Sequence, residues 1–162
     1  MSKAYYRIEW NFLEGVMRRM GFAEQWIRLI MKCITSISYS VLINGDSYGN
    51  ILPTRGLRQG DLLSPYLSIM CADVLSTMLQ EAERSRAITS VPLAKGRVRL
   101  NHLFFVDDSL LFCKANLMEW SQLRAVLERY EQASGQRLNL EKTSSSSAPT
   151  LQLLIDVRSY IS

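Results

Sequence analysis

Two adjacent acids between two strongly apolar runs set the narrowest limit on how this chain folds. In Phe104-Phe105-Val106-Asp107-Asp108-Ser109-Leu110-Leu111-Phe112, apolar residues fill both flanks and the acids stand at the centre. A buried, unpaired carboxylate costs several kcal/mol or takes up a proton, so the pair disfavours simple core packing. The segment therefore predicts a hairpin of residues 98–105 and 109–113 with Val106, Asp107 and Asp108 at its bend. Taken alone, the pair reads as a solvated turn. The other reading is a cation site, because divalent ions in phosphate chemistry are held largely by acids and by the phosphates themselves.

The rest of the chain supplies partners for such a hairpin. Ile8, Phe12, Leu13, Val16, Met17 and Met20 recur at helical spacing and Gly21 supplies a stop. Trp26, Ile27, Ile30, Met31 and Ile34 mark a second helix over residues 23–35. Alternation at Ile37, Tyr39, Val41 and Ile43, a turn at Asn44-Gly45-Asp46 and a return over residues 48–52 predict another hairpin. Ser64-Pro65 reads as an N-cap with proline at the first helical position, opening a helix that runs to about Arg84. Residues 85–96 read as irregular. Trp120, Leu123, Val126, Leu127 and Tyr130 form a last helical stripe ended by Gly135, and residues 138–140 a short strand. Thr143 and the four serines after it, with Ala148-Pro149, read as a flexible boundary over residues 143–150. The order α-α-β-β-α-β-β-α-β is an α+β pattern with antiparallel hairpins.

Composition narrows the class without choosing a function. With 162 residues, 48% hydrophobic and 21% charged, the chain can bury a core and is unlike a disordered tail. Its net charge of +4 suits a polyanionic partner as well as it suits none. Cys33, Cys71 and Cys113 are odd in number, scattered and set among apolar residues. They are expected to be reduced thiols packed in a core, which predicts an intracellular protein. No apolar run reaches the length of a membrane span, so no membrane partner is expected. The start, Met1 to Arg7, has no signal-peptide core and reads like the middle of an element, so a truncated chain is expected.

A second segment, Gly56-Leu57-Arg58-Gln59-Gly60-Asp61-Leu62-Leu63-Ser64-Pro65, joins the acids in pointing somewhere specific. Its glycines let backbone approach a ligand closely, Arg58 suits a phosphate, and Gln59 can hydrogen-bond. Alone, these features also fit any surface loop that leads into a helix. Together the two segments resemble the reverse transcriptases of non-LTR, LINE-type retrotransposons such as those of plants. Residues 58–65 match that family's Arg-Gln-Gly-Asp-Pro-Leu-Ser-Pro block except for Leu62 in place of proline. Phe105 to Asp108 match its Phe-Ala-Asp-Asp hairpin except for Val106. Lys3-Ala4-Tyr5 with Arg7-Ile8-Glu9-Trp10 match the first palm motif. Ser134-Gly135-Gln136, Leu138-Asn139 and Lys142 match the segment after the catalytic hairpin.

The resemblance implies an RNA-directed DNA polymerase palm: an antiparallel sheet packed on helices, spanning residues 1–143. The fingers motifs upstream and a thumb have no counterpart, and residues 144–162 are expected to be a serine-rich boundary and an unrelated tail. It implies Mg²⁺ or Mn²⁺ held by Asp107 and Asp108, with an RNA template, a DNA primer and dNTPs as partners. Tyr5 aligns with an aromatic residue beneath the incoming sugar, although a core aromatic at a helix start fits it equally well. Gln59 and Gly60 align with residues contacting the nucleotide and the template backbone. Arg58 is assigned to phosphate or to a structural ion pair, and Lys142 to the pyrophosphate side or, more simply, to solvent. Glu9, Asp61 and Asp73 are expected to be solvated, and His102 to be a packed strand residue. The first motif's leading aspartate would fall immediately before Met1 and its second aligns with Tyr6, so the chain is expected to be inactive as a polymerase. The alternative is a non-catalytic nucleic-acid-binding or protein-interaction remnant of a retroelement.

Overall fold

A computed structural model describes residues 7–93, 98–105, 108–137, 145–148 and 152–158. Tyr5, Tyr6, Asp107, Lys142 and the expected strand at residues 138–140 lie outside them.

The amphipathic stretches fold as their spacing requires. They form α1 (Trp10–Arg19), α2 (Glu24–Thr35), α3 (Ser64–Arg84) and α4 (Leu117–Ser134). Helix α3 is the spine of the molecule. Its buried residues Leu67, Cys71, Leu75 and Leu79 follow one another at four-residue steps along one stripe. Leu67 and Cys71 join Ile8, Leu13, Met17, Ile27, Ile34 and Leu57 in one apolar cluster. Leu75, Leu79 and Ala82 join Ile88, Leu111, Cys113, Leu123, Leu127 and Tyr130 in the other. One helix thus ties the α1–α2 layer to α4 and the sheet. Among the described residues no helix is long and apolar enough to cross a membrane.

The first hairpin, β1 (Tyr39–Ile43) with β2 (Asp46–Ile51), turns at Asn44 and Gly45, whose φ of 53° and 93° is the left-handed pair a two-residue turn demands. Its side chains are exposed along both strands. Residues 98–105, expected as one strand, are two. β4 (Val98–Leu100) pairs with β3 (Val91–Leu93), while β5 (His102–Phe105) pairs with β6 (Asp108–Lys114). The break falls at buried Asn101, whose side chain is drawn to Glu83 at 2.6 Å. β3 also corrects the irregular reading of residues 85–96. Arg99 holds Ser90 through its Oγ at 2.8 Å and its carbonyl at 2.6 Å, fixing the two short strands together.

The larger sheet has the antiparallel order β5-β6-β8-β7, with β7 (Ser145–Ala148) and β8 (Gln152–Arg158). Ser145–Ala148, expected to be flexible, is therefore strand. The N-cap of α3 is likewise not Ser64 but Leu63. Ser64 is already helical and its hydroxyl donates to the Arg58 carbonyl at 2.7 Å, while Asp61 Oδ1 accepts from the Leu63 N–H at 2.8 Å. Of the cysteines, Cys71 and Cys113 are buried, and burial pushes their thiols up to about 12 and about 11. Cys33 is exposed, against expectation, because it falls off the buried stripe of α2.

Candidate nucleic-acid and metal site

The segments singled out in the sequence meet on three residues, Ile8, Glu9 and Trp10. The Ile8 carbonyl accepts from the Gly56 N–H at 2.8 Å, and the Trp10 indole N–H donates to the Gly56 carbonyl at 2.8 Å. On the other side, the Glu9 N–H donates to the Ser134 carbonyl at 2.9 Å. Gly135 sits so close that a Cβ there would lie 2.6 Å from the Arg7 carbonyl oxygen. The short run that follows Tyr6 is therefore clamped between the start of the Gly56 loop and the end of α4.

That clamp orders the loop entering α3. Leu57 is buried and anchors it, while Arg58, Gln59 and Gly60 are exposed beyond the anchor. Gly60 has φ of 85°, a conformation other residues resist, so its bare backbone faces outward. Gln59, Gly60, Asp61, Leu62, Pro65 and Tyr66 border a cavity of about 580 Å³. Among the described residues the Arg58 guanidinium makes no hydrogen bond or ion pair. The ion pair nearby belongs to Arg55 and Glu9, at 3.1 Å, and is too exposed to contribute much stability. Arg58 itself is exposed on this loop. Asp61 is occupied with Leu63, and Asp73 is exposed.

The hairpin of acids is formed as expected as far as it is described: β5 and β6 are antiparallel and Phe105 pairs with Asp108 as their end-most pair. Asp108 therefore opens β6 rather than standing mid-strand. Among the described residues no three His, Cys, Asp or Glu side chains are grouped to hold a metal ion. Of the two acids expected as ligands, Asp108 is among the described residues and Asp107 is not.

Behind the Gly56 loop, Tyr130 anchors the Ser134-Gly135-Gln136 segment. Its hydroxyl lies 2.5 Å from Gln136 Oε1 and 3.2 Å from the Cys71 carbonyl, and burial pushes the phenol up, so it stays a donor. Its ring meets Phe12 edge-on at 6.0 Å. One polar group escaped the sequence reading. Glu119 is buried and accepts from the Thr89 hydroxyl at 2.8 Å, the Thr89 N–H at 2.9 Å and the Lys114 N–H at 3.0 Å, the last at the end of β6. Asn116 three residues before it, accepting from the Glu119 N–H at 2.7 Å, is the sequence signal of such a helix start. His102 is the packed strand residue expected, half-buried in β5 and bonded to Ser76 and Asn101.

Comparison with known proteins matches residues 1–154 to the family described as reverse transcriptase (RNA-dependent DNA polymerase). Over 151 residues the chain is 30% identical to a retrovirus-related Pol polyprotein from the type-1 retrotransposable element R2 of Popillia japonica, covering 93% of this chain and 24% of that protein. Over 143 residues it is 25% identical to a 149 kDa protein of transposon TX1 from Xenopus laevis, covering 88% of this chain and 10% of that one. A mitochondrial protein of Arabidopsis thaliana shares 44% identity over 68 residues, 42% of this chain and 56% of the relative.

Proposed function

Because this chain belongs to the reverse transcriptase (RNA-dependent DNA polymerase) family, we propose that it forms the palm segment of a LINE-type retrotransposon polymerase. In this reading RNA template, DNA primer and dNTP lie across the Gly56 loop and the β5–β6 hairpin. Asp107 and Asp108 hold Mg²⁺ or Mn²⁺, which when bound would supply positive charge to the reacting phosphates. Arg58 neutralises a backbone phosphate, Gln59 and the bare backbone of Gly60 meet the nucleotide and template, Tyr5 stacks beneath the sugar, and Lys142 faces the leaving pyrophosphate. The observation that carries this reading is the clamp on Ile8, Glu9 and Trp10, which joins three of the four motif segments through backbone bonds. Chance motif matches have no reason to share bonds across such separations.

A second reading, nucleic-acid binding without catalysis, is favoured by Tyr6 standing where the first motif carries an aspartate. We infer that the chain binds primed RNA and does not measurably extend it, since Tyr6 replaces a carboxylate of the first motif. Fluorescence anisotropy and extension on the same primed template test both points. Arg58→Ala is expected to weaken binding and lower the salt slope by about one. Extension that disappears in Asp107→Asn would contradict the inactivity, and binding indifferent to both salt and Arg58→Ala would contradict the polymerase reading.

A further inference from the structure

The chain's single histidine lies in a series of hydrogen bonds whose direction is set from one end. The ionised Glu83 carboxylate can only accept, so the Asn101 amide turns Nδ2 toward it at 2.6 Å. Asn101 is buried, and its Oδ1 then faces His102 Nδ1 at 2.5 Å. That nitrogen must carry the proton. Neutral His102 therefore leaves Nε2 bare, and the Ser76 hydroxyl donates to it across 2.9 Å, itself accepting from Gln80 Nε2 at 3.4 Å. Ser76, Gln80 and Glu83 follow one another along one face of α3, whereas Asn101 and His102 stand where β4 gives way to β5.

We propose that His102, neutral and protonated on Nδ1, is a positioning residue that latches the β5–β6 hairpin to α3. Through β5 it sets where the Phe105–Asp108 end of the hairpin stands relative to the helix that the Arg58, Gln59 and Gly60 loop begins. The catalytic consequence rests on the polymerase reading above, whereas the latch itself does not. Protonation opposes the latch. With both ring nitrogens donating, Ser76 must stop donating to the ring, and the series loses its direction.

Burial holds the His102 pKa below its ordinary value, with Glu83 pulling the other way. Among the described residues, the charged groups on the neighbouring elements are engaged or exposed. On α3, Glu81 pairs with Arg84 and Asp73 is exposed. Arg99 of β4 is bound to Ser90, and Glu119 of α4 to Thr89 and Lys114. From the sheet, the Phe104 ring stands 4.7 Å from the imidazole, Leu111 is the register partner on β6, and β8 lies beyond β6. A histidine pKa lowered by folding gives stability that is full above the unfolded value and is lost as pH falls from there through the folded value.

NMR of the ¹⁵N-labelled full chain tests this between about pH 8 and about pH 5, with one histidine giving one ring pattern. The expected neutral form is the Nδ1–H tautomer. As the ring protonates, amide exchange at Leu103, Leu111 and Phe112 should rise about tenfold beyond its intrinsic pH dependence, while Leu13 and Ile27 do not follow. Ser76→Ala should raise hairpin exchange even above the transition, and Ser76→Thr, which keeps the hydroxyl, should restore it. An Nε2–H neutral tautomer, or hairpin exchange indifferent to His102 titration, overturns the latch. If Ser76→Ala does not fold, the wild-type titration decides alone. Loss of the polymerase reading would appear in primed-RNA binding and leave these readings unchanged.

Discussion

Gly135→Ala is expected to lower the stability of the chain by about 3 kcal/mol in urea unfolding. Two costs add. At φ of 73° a Cβ is strained wherever it stands, which costs about 1 kcal/mol. The new methyl would also press on the Arg7 carbonyl oxygen at 2.6 Å and Glu9 Cγ at 2.7 Å, and backbone on one side cannot swing away. Gly21→Ala is the control: its φ is 83°, but nothing lies within 4 Å of the added carbon. It should show the strain cost alone. Equal losses for the two would mean that the end of α4 does not press on the Arg7 to Glu9 run, and the clamp would lose one side.

Glu119→Ala is the second large loss, also about 3 kcal/mol. Its carboxylate satisfies two backbone N–H groups and a hydroxyl from three directions, and truncation leaves the Thr89 and Lys114 N–H groups without an acceptor. Glu119→Gln should cost less, because one amide oxygen still accepts while the NH₂ opposes a donor. The pH dependence follows from the same contacts. Burial pushes the carboxyl up, but hydrogen bonds from Lys114 and Thr89 outweigh it and hold it below the ordinary value. The lowered pKa makes this stabilisation full above the unfolded glutamate value and lost as pH falls through the folded one. Acid unfolding of Glu119→Gln should therefore be less pH-dependent in that range than wild type, measured by circular dichroism. Identical acid profiles would remove Glu119 from the account.

What the sequence displayed was mostly local. Helical stripes are read from spacing on one segment, and so all four helices stand within a few residues of where periodicity puts them. The Asn44-Gly45 turn and the Gly135 stop carry their own backbone requirement, with φ of 53°, 93° and 73°. Misreadings occur where a distant partner decides. Ser64 looks like a cap until the Arg58 carbonyl takes its hydroxyl. Residues 98–105 alternate like one strand, but Glu83 pulls Asn101 out of line. The serines of β7 have no apolar alternation and are strand because they pair with β8. The site divides the same way. Arg58, Gln59, Gly60 and the acid hairpin were visible as motifs in order. The bonds from Ile8 and Trp10 to Gly56 and from Glu9 to Ser134, which give that order a physical meaning, cross separations no local pattern reveals. Glu119 and the His102 series were hidden for that reason too.

The central claim is that Asp107 and Asp108 are the metal-holding acids of a polymerase palm, and Mn²⁺ binding followed by electron paramagnetic resonance addresses it without requiring turnover. The account predicts that the 162-residue chain binds Mn²⁺ and that Asp107→Asn and Asp108→Asn each weaken binding by about tenfold. Binding that both variants leave unchanged would contradict it.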